Sequence, residues 1–251
     1  GEVVDREDGP QARSPRDLIA EAIRRADADA GEALAARADR LVVINVASFA
    51  YDDLPGLLAS DIGANPAQAT TTPVGGDMPI KALAEAGAAI VSGEIDIAVI
   101  CGGEALKTRM KAVQTKRPLD WGPADPNVAP KTGADYVTPL AARYRLTQPS
   151  QIYPLYENAF REKLGQSLEV AQRESAELWS QLSRVAATNE TAWTGRPHTP
   201  EQIAQTSPDN RLIAFPYPKL MNAQLGVNQA CALLVVDIAV ARAAGIADAR
   251  M

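Results

Sequence analysis

Residues 71–104 read TTPVGGDMPIKALAEAGAAIVSGEIDIAVICGGE, and the reading of this stretch decides the fold. The β-rich segment Thr70–Val74 runs into Gly75-Gly76, most simply a turn that needs the positive φ open to glycine. An alanine-rich helix over 79–92 follows. After a short turn, Ile95–Cys101 (IDIAVIC) is nearly all apolar and β-branched, the mark of a strand covered on both faces. It ends in Gly102-Gly103-Glu104, where Glu104 is expected to be structural, its carboxylate hydrogen-bonded near the end of its strand.

The same alternation extends outward. Ser14-Pro15 with Asp17 combines an N-cap hydroxyl, proline at N1 and an acid in the first turn, so a helix is predicted over 15–29. Leu18, Ile19, Ala22, Ile23 and Ala26 share one face of it. Leu41–Ala47 (LVVINVA) reads as another buried strand, 54–63 as a short helix, and Ala230–Val236 (ACALLVV) as the last buried strand. Strands alternating with helices predict an α/β fold, with a parallel sheet and helices on both faces.

After Leu106 the pattern changes. Residues 107–150 carry prolines, tryptophan and polar residues with little periodicity, including DWGPADPNVAPKTG. Helices are predicted at about 154–164 and 168–190, and 191–210 returns to loop. Residues 107–210 therefore read as a domain inserted into a core formed by 1–106 and 211–251. The sequence opens on Gly-Glu-Val-Val-Asp, leaving no room for a strand ahead of helix 15–29, and stops one short helix after the last strand. A fragment, or one subunit of a split protein, is the expectation.

Composition narrows the function. The chain has 251 residues, 46% of them hydrophobic, ample for a packed core. A net charge of −6 argues against nucleic-acid partners. No apolar run reaches the length of about 18 residues that spans a bilayer, and no basic-then-apolar leader opens the chain, so no membrane partner and a cytoplasmic location are expected. Cys101 and Cys231 lie in apolar strands and read as reduced core thiols. With one histidine, His198 in the polar loop GRPHTP, no metal site of familiar spacing is expected.

Two clusters carry candidate chemistry. Asp77 precedes Met78-Pro79; it is either the cap of the following helix or a carboxylate aimed at a ligand, acting as a base. Gly75 and Gly76 could also admit a ligand carbonyl to backbone N–H groups. Lys107, Arg109, Lys111, Lys116 and Arg117 crowd eleven residues without an acid, and form either a solvated face or a phosphate site.

The segment 71–104, together with YPLYENAFR (153–161), ELWSQLSRVAATNETAW (177–193) and SPDNRLIAFPYPKLMNAQLGVNQACALLV (207–235), resembles the thiolase superfamily, near its sterol-carrier-protein-type and thiolase-like branches. The resemblance implies an acetyl-CoA acetyltransferase-like fold of two βαβαβαββ halves in an αβαβα sandwich, this chain being the N-terminal half with its inserted loop domain. Counting back from Gly102-Gly103-Glu104 places Gly76 where thiolases carry the nucleophilic cysteine. A glycine there removes the nucleophile. Where thiolases read Asp-Gly-Ala-Ala-Ala, this chain reads Asn228-Gln229-Ala230-Cys231-Ala232.

The resemblance further implies CoA or an acyl-CoA as ligand, with no covalently bound cofactor. It implies phosphate contacts from Lys107, Arg109 and Lys111, and Gln224 and Asn222 beside the pantetheine arm. Catalytic groups are expected from a C-terminal half. The expected partners are that half, a second copy of the chain in a homodimer, and an OB-fold acyl-CoA-associated subunit. A retro-aldolase of the steroid side-chain type and a non-catalytic CoA-ester-binding scaffold are the alternatives.

Overall fold

The computed structural model describes residues 1–125, 127–128 and 133–248, so part of the turn-rich stretch 120–133 lies outside the described residues. The chain forms two compact units, Gly1–Pro130 with Gly226–Met251, and Lys131–Leu225. The expected insertion 107–210 differs from the second unit at its margins. Residues just after 106 belong to the first unit because the Lys107 N–H donates to the Val227 carbonyl, 3.2 Å away. Residues 211–225 belong to the second because Asn210 ties them to its helices.

In chain order the first unit contains β1 (Glu2–Val4), α1 (Pro15–Ala30), β2 (Arg40–Val43), α2 (Leu54–Asp61), β3 (Gln68–Thr71), α3 (Met78–Val91), β4 (Ile97–Ala105) and α4 (Leu106–Thr115). The second unit contains α5 (Pro139–Arg143), α6 (Pro149–Lys163), α7 (Leu168–Ala186), α8 (Pro200–Ala204) and the hairpin β5 (Leu212–Ala214) and β6 (Tyr217–Pro218). The chain then returns to the first unit with β7 (Asn228–Val236) and α9 (Ile238–Ala243).

The five-stranded sheet has the order β1-β7-β4-β2-β3. β2 pairs in parallel with β3 and β4, whereas β7 runs antiparallel to β4 from Ile97↔Val236 to Ala105↔Asn228. The sheet is mixed, not wholly parallel, because the segment after β4 comes back beside it as a long hairpin-like return and not through a crossover helix. A second correction concerns the start of the chain. Glu2–Val4 is a strand after all, paired antiparallel with Gln229–Cys231. Three residues suffice because Val3 drops into the core beneath α1.

Helix α1 begins where its sequence signals it. The Ser14 hydroxyl accepts from the Asp17 N–H while the Asp17 carboxylate accepts from the Ser14 N–H, closing a capping box over Pro15. Its buried stripe packs with Leu54 and Leu58 of α2 against Leu41, Val43, Val99, Cys101 and Ala232 on one face of the sheet. Among the described residues the opposite face carries α3, whose Ala82, Ala86 and Ala89 meet Ala98, Ile100, Ile44 and Val235. The rest of α3 is open: Ile80 is 71% and Val91 88% exposed.

Candidate functional site

Helix α3 starts at the Gly-Gly-Asp turn. Asp77 occupies the N-cap position, but its side chain makes no cap hydrogen bond and is exposed. Neither Gly75 nor Gly76 has a positive φ, so the turn does not need glycine for its handedness. At Gly75 a Cβ would stand 2.7 Å from the Asp77 carboxylate, a close approach at the tip of a movable side chain. At Gly76 a Cβ would meet nothing within 4 Å. Gly76→Cys is therefore expected to leave the melting temperature within about 2 °C of the original, since exposed substitutions without contacts cost at most about 0.5 kcal/mol. The helix N-terminus should make the new thiol react faster with Ellman's reagent than either native cysteine. A large fall in melting temperature, or a thiol no faster than Cys231, would count against this placement.

The strand that follows ends at a buried carboxylate. Glu104 accepts hydrogen bonds from the Ala47 N–H (2.5 Å) and the Ser48 N–H (2.9 Å), and so pins the loop after β2. Burial raises its pKa above the ordinary value, opposed by hydrogen bonds from Ser48 and Ala47 and by the nearby Arg109 charge. Arg109 itself donates to the Ala47 carbonyl (2.8 Å). Lys107 donates to the Arg6 carbonyl (2.5 Å) and lies 3.4 Å from Asp8, and Arg117 donates to the Asp8 carbonyl (3.0 Å). Three cations of the basic cluster are thus engaged in holding their own unit together. Lys111 is exposed on the same helix.

The second unit holds two adjoining clefts. The larger, about 1010 Å³, is walled by Tyr153, Tyr156, Phe160, Trp179, Tyr217 and Leu225 and contains Asn222 and Gln224. The smaller, about 350 Å³, shares Trp179, Asn222 and Gln224 and adds Trp193, Arg196, His198 and Lys219. Among the described residues no acid lines this smaller cleft, although acids outnumber bases in the chain. Arg196 and Lys219 form no ion pair among the described residues.

Local hydrogen bonds explain how these distant residues meet. The loop carrying Arg196 is held on α7, where the His198 N–H donates to Ser183 Oγ (2.9 Å) and Ser180 Oγ donates to the His198 carbonyl (2.8 Å). Buried Asn210 donates to the carbonyls of Gln202, Ile203 and Gln205 and accepts from the Leu220 N–H (2.8 Å), fixing the segment that bears Lys219. Of the residues expected at a ligand, Asn222 and Gln224 line one site together. Lys219, a sequence neighbour of Asn222 and Gln224, lines the cleft with them, whereas Arg196 escapes sequence reading because it sits in a separate loop. His198, in the polar loop GRPHTP, is half-buried and lines the same cleft.

Cys101 is buried and Cys231 exposed, which corrects the reading of both as core thiols. β7 alternates, and the face bearing Cys231 and Leu233 is covered only in part. Among the described residues no group of three or more His, Cys, Asp or Glu side chains could hold a metal ion, and no helix is long and apolar enough to cross a membrane.

No protein-family model and no curated protein matches the chain. Solved structures do. A monomeric SCP2-thiolase-like protein type 1 from Mycobacterium smegmatis superposes with a TM-score of 0.69 at 27% identity, over 100% of this chain and 46% of that one. The Ltp2–ChsH2(DUF35) aldolase superposes with a TM-score of 0.67 at 21% identity, over 96% of this chain and 56% of that one. The chain thus spans about half the length of each. With its five-stranded mixed sheet and its helices on both faces, it has a thiolase-like fold.

Proposed function

We propose that this chain binds acyl-CoA thioesters as one half of a thiolase-like assembly and does not run cysteine-based thiolysis by itself. The observation that carries the reading is the pair of clefts sharing Asn222 and Gln224, one apolar and aromatic, the other cationic and free of acids. An acyl-CoA has that polarity: an apolar acyl group, a polar pantetheine arm and a phosphorylated nucleotide. In this reading Arg196 and Lys219 hold phosphate, Asn222 and Gln224 hydrogen-bond the arm, and Trp193 offers a face to the base. Of the three α4 cations expected on phosphate, Lys107 and Arg109 already have partners and Lys111 is exposed.

A partner belongs to the proposal. The open side of α3 and the exposed strand β3 at the sheet edge present apolar surface and unpaired main chain that soluble proteins normally cover. A C-terminal thiolase half or a second copy of this chain would cover them, with an acyl-CoA-associated OB-fold subunit as a further member.

The test is calorimetry with CoA and a medium-chain acyl-CoA. Arg196→Ala and Lys219→Ala are each expected to weaken binding about tenfold and to reduce its salt dependence. Lys111→Ala should weaken it less. No binding by the unaltered chain, or full binding by the double variant, would overturn the reading. With acetoacetyl-CoA and CoA, no acetyl-CoA should form above the buffer rate.

A second reading is favoured by the uncapped Asp77 carboxylate at the start of α3 and by the fold shared with an aldolase. There Asp77 would take the proton of a β-hydroxyl as that oxygen becomes a carbonyl. The adjacent carbon–carbon bond would break with its electron pair passing to the α-carbon of the thioester, and the same proton would return to that carbon. Loss of cleavage of a β-hydroxyacyl-CoA in Asp77→Asn, with binding retained, would separate this reading from simple ligand binding.

A further inference from the structure

The larger cleft is apolar on most of its wall, yet Glu157 and Tyr217 both line it and lie close enough to interact. They come from different elements, Glu157 from α6 and Tyr217 from β6, and the hairpin is fastened in place. Asn158 donates to the Phe215 carbonyl (3.4 Å) and Gln172 to the Pro216 carbonyl (2.9 Å), so α6 and α7 both grip the residues just before Tyr217. Burial, followed by a hydrogen bond to Glu157 and its charge, pushes the Tyr217 phenol up to about 12. At neutral pH the phenol therefore keeps its proton and can donate it in a hydrogen bond.

We infer that Glu157, positioned by Tyr217, selects a ligand whose apolar body carries a hydroxyl group. The inference rests on the reading of this cleft as the acyl-ligand site and adds a preference to it. A hydroxyl inserted between the two groups donates to the carboxylate and accepts from the phenol, replacing one hydrogen bond by two. A ligand lacking a hydroxyl leaves the pair bonded to itself, with no buried group orphaned. Discrimination is therefore moderate, about the tenfold expected of one added charge-assisted hydrogen bond.

The experiment compares 1-decanol with its methyl ether, which keeps the oxygen acceptor and loses the donor. Binding to the full chain is followed by tryptophan fluorescence, since Trp179 lines the cleft. The alcohol is expected to bind about tenfold more tightly than the ether. Glu157→Leu should bring that ratio to about one, and Glu157→Gln, which keeps a neutral acceptor, should leave an intermediate value. Because the ratio is taken within each protein, a general loosening of the second unit does not mimic the effect. Equal binding of alcohol and ether by the unaltered chain, or an undiminished ratio in Glu157→Leu, overturns the inference and leaves the acyl-cleft reading standing. Failure of both compounds to bind overturns the two together.

Discussion

Asn228→Asp is expected to destabilise the chain by about 3–5 kcal/mol at neutral pH, as an uncompensated buried charge does. Asn228 is completely buried at the start of β7. Its Nδ2 donates to the Glu7 carbonyl (2.7 Å) and to Thr108 Oγ1 (2.9 Å), and its Oδ1 accepts from the Thr108 N–H (3.1 Å). A carboxylate keeps the last bond and can receive the threonine hydroxyl after rotation. Its other oxygen would face the Glu7 carbonyl with no proton between them. The thiolase-like motif carries aspartate here, so the change moves the sequence toward that motif while breaking the contacts this chain has built. Acid should relieve the defect. Burial raises the pKa of the introduced carboxyl above its unfolded value, so the penalty grows as pH rises through the carboxylate range and shrinks below it, where the protonated group regains a donor. Urea unfolding at two pH values measures both parts. A loss under about 1 kcal/mol at pH 7 would contradict the assignment.

Gly103→Ala is expected to cost about 3 kcal/mol, lowering the melting temperature by about 6–12 °C for a chain of this size. The added Cβ would stand 2.6 Å from the Ala230 Cβ, 2.9 Å from Ile19 Cγ1 and 3.0 Å from the Gln229 carbonyl oxygen. Ile19 can turn to another rotamer. Ala230 and Gln229 cannot retreat, because they belong to the β7 ladder directly opposite Gly103 and Glu104. The contrast is with Gly76, where space is open. A thermal scan showing less than about 2 °C of change in Gly103→Ala would mean that the β4–β7 contact is looser than these distances imply.

How far the sequence discloses this structure depends on where each element gets its stability. IDIAVIC and the α1 stripe are visible because their own apolar residues do the packing. β1 is hidden because three residues carry no pattern of their own, and its partner is β7, more than two hundred positions away. α4 is hidden for another reason: its buried residues are Thr108 and Ala112, whereas Met110 and Val113 point outward, so the usual apolar stripe is absent. The same limit applies to the candidate site. Gly76 and Asp77 are legible through one contiguous motif, and Asn222 and Gln224 through their distance from Asn228. Arg196 and Lys219 share a cleft only after Asn210 and Ser180 have fastened two loops, and single-sequence patterns do not record such closure.

The antiparallel return of β7 also sets a timetable for synthesis. The ribosome delivers β1 more than two hundred residues before β7, its sheet neighbour among the described residues. Until residues 228–236 emerge, β1 has nothing to pair with and β4 keeps one bare edge, while Lys131–Leu225 can already be folding as a compact unit. Closing so distant a pair carries a loop-closure penalty, which a folded insert reduces by removing the freedom of the chain it contains. While residues 106–227 are being made, the nascent chain therefore exposes the edge of β4 that β7 later covers, the kind of unpaired strand edge that makes an incomplete fold prone to association.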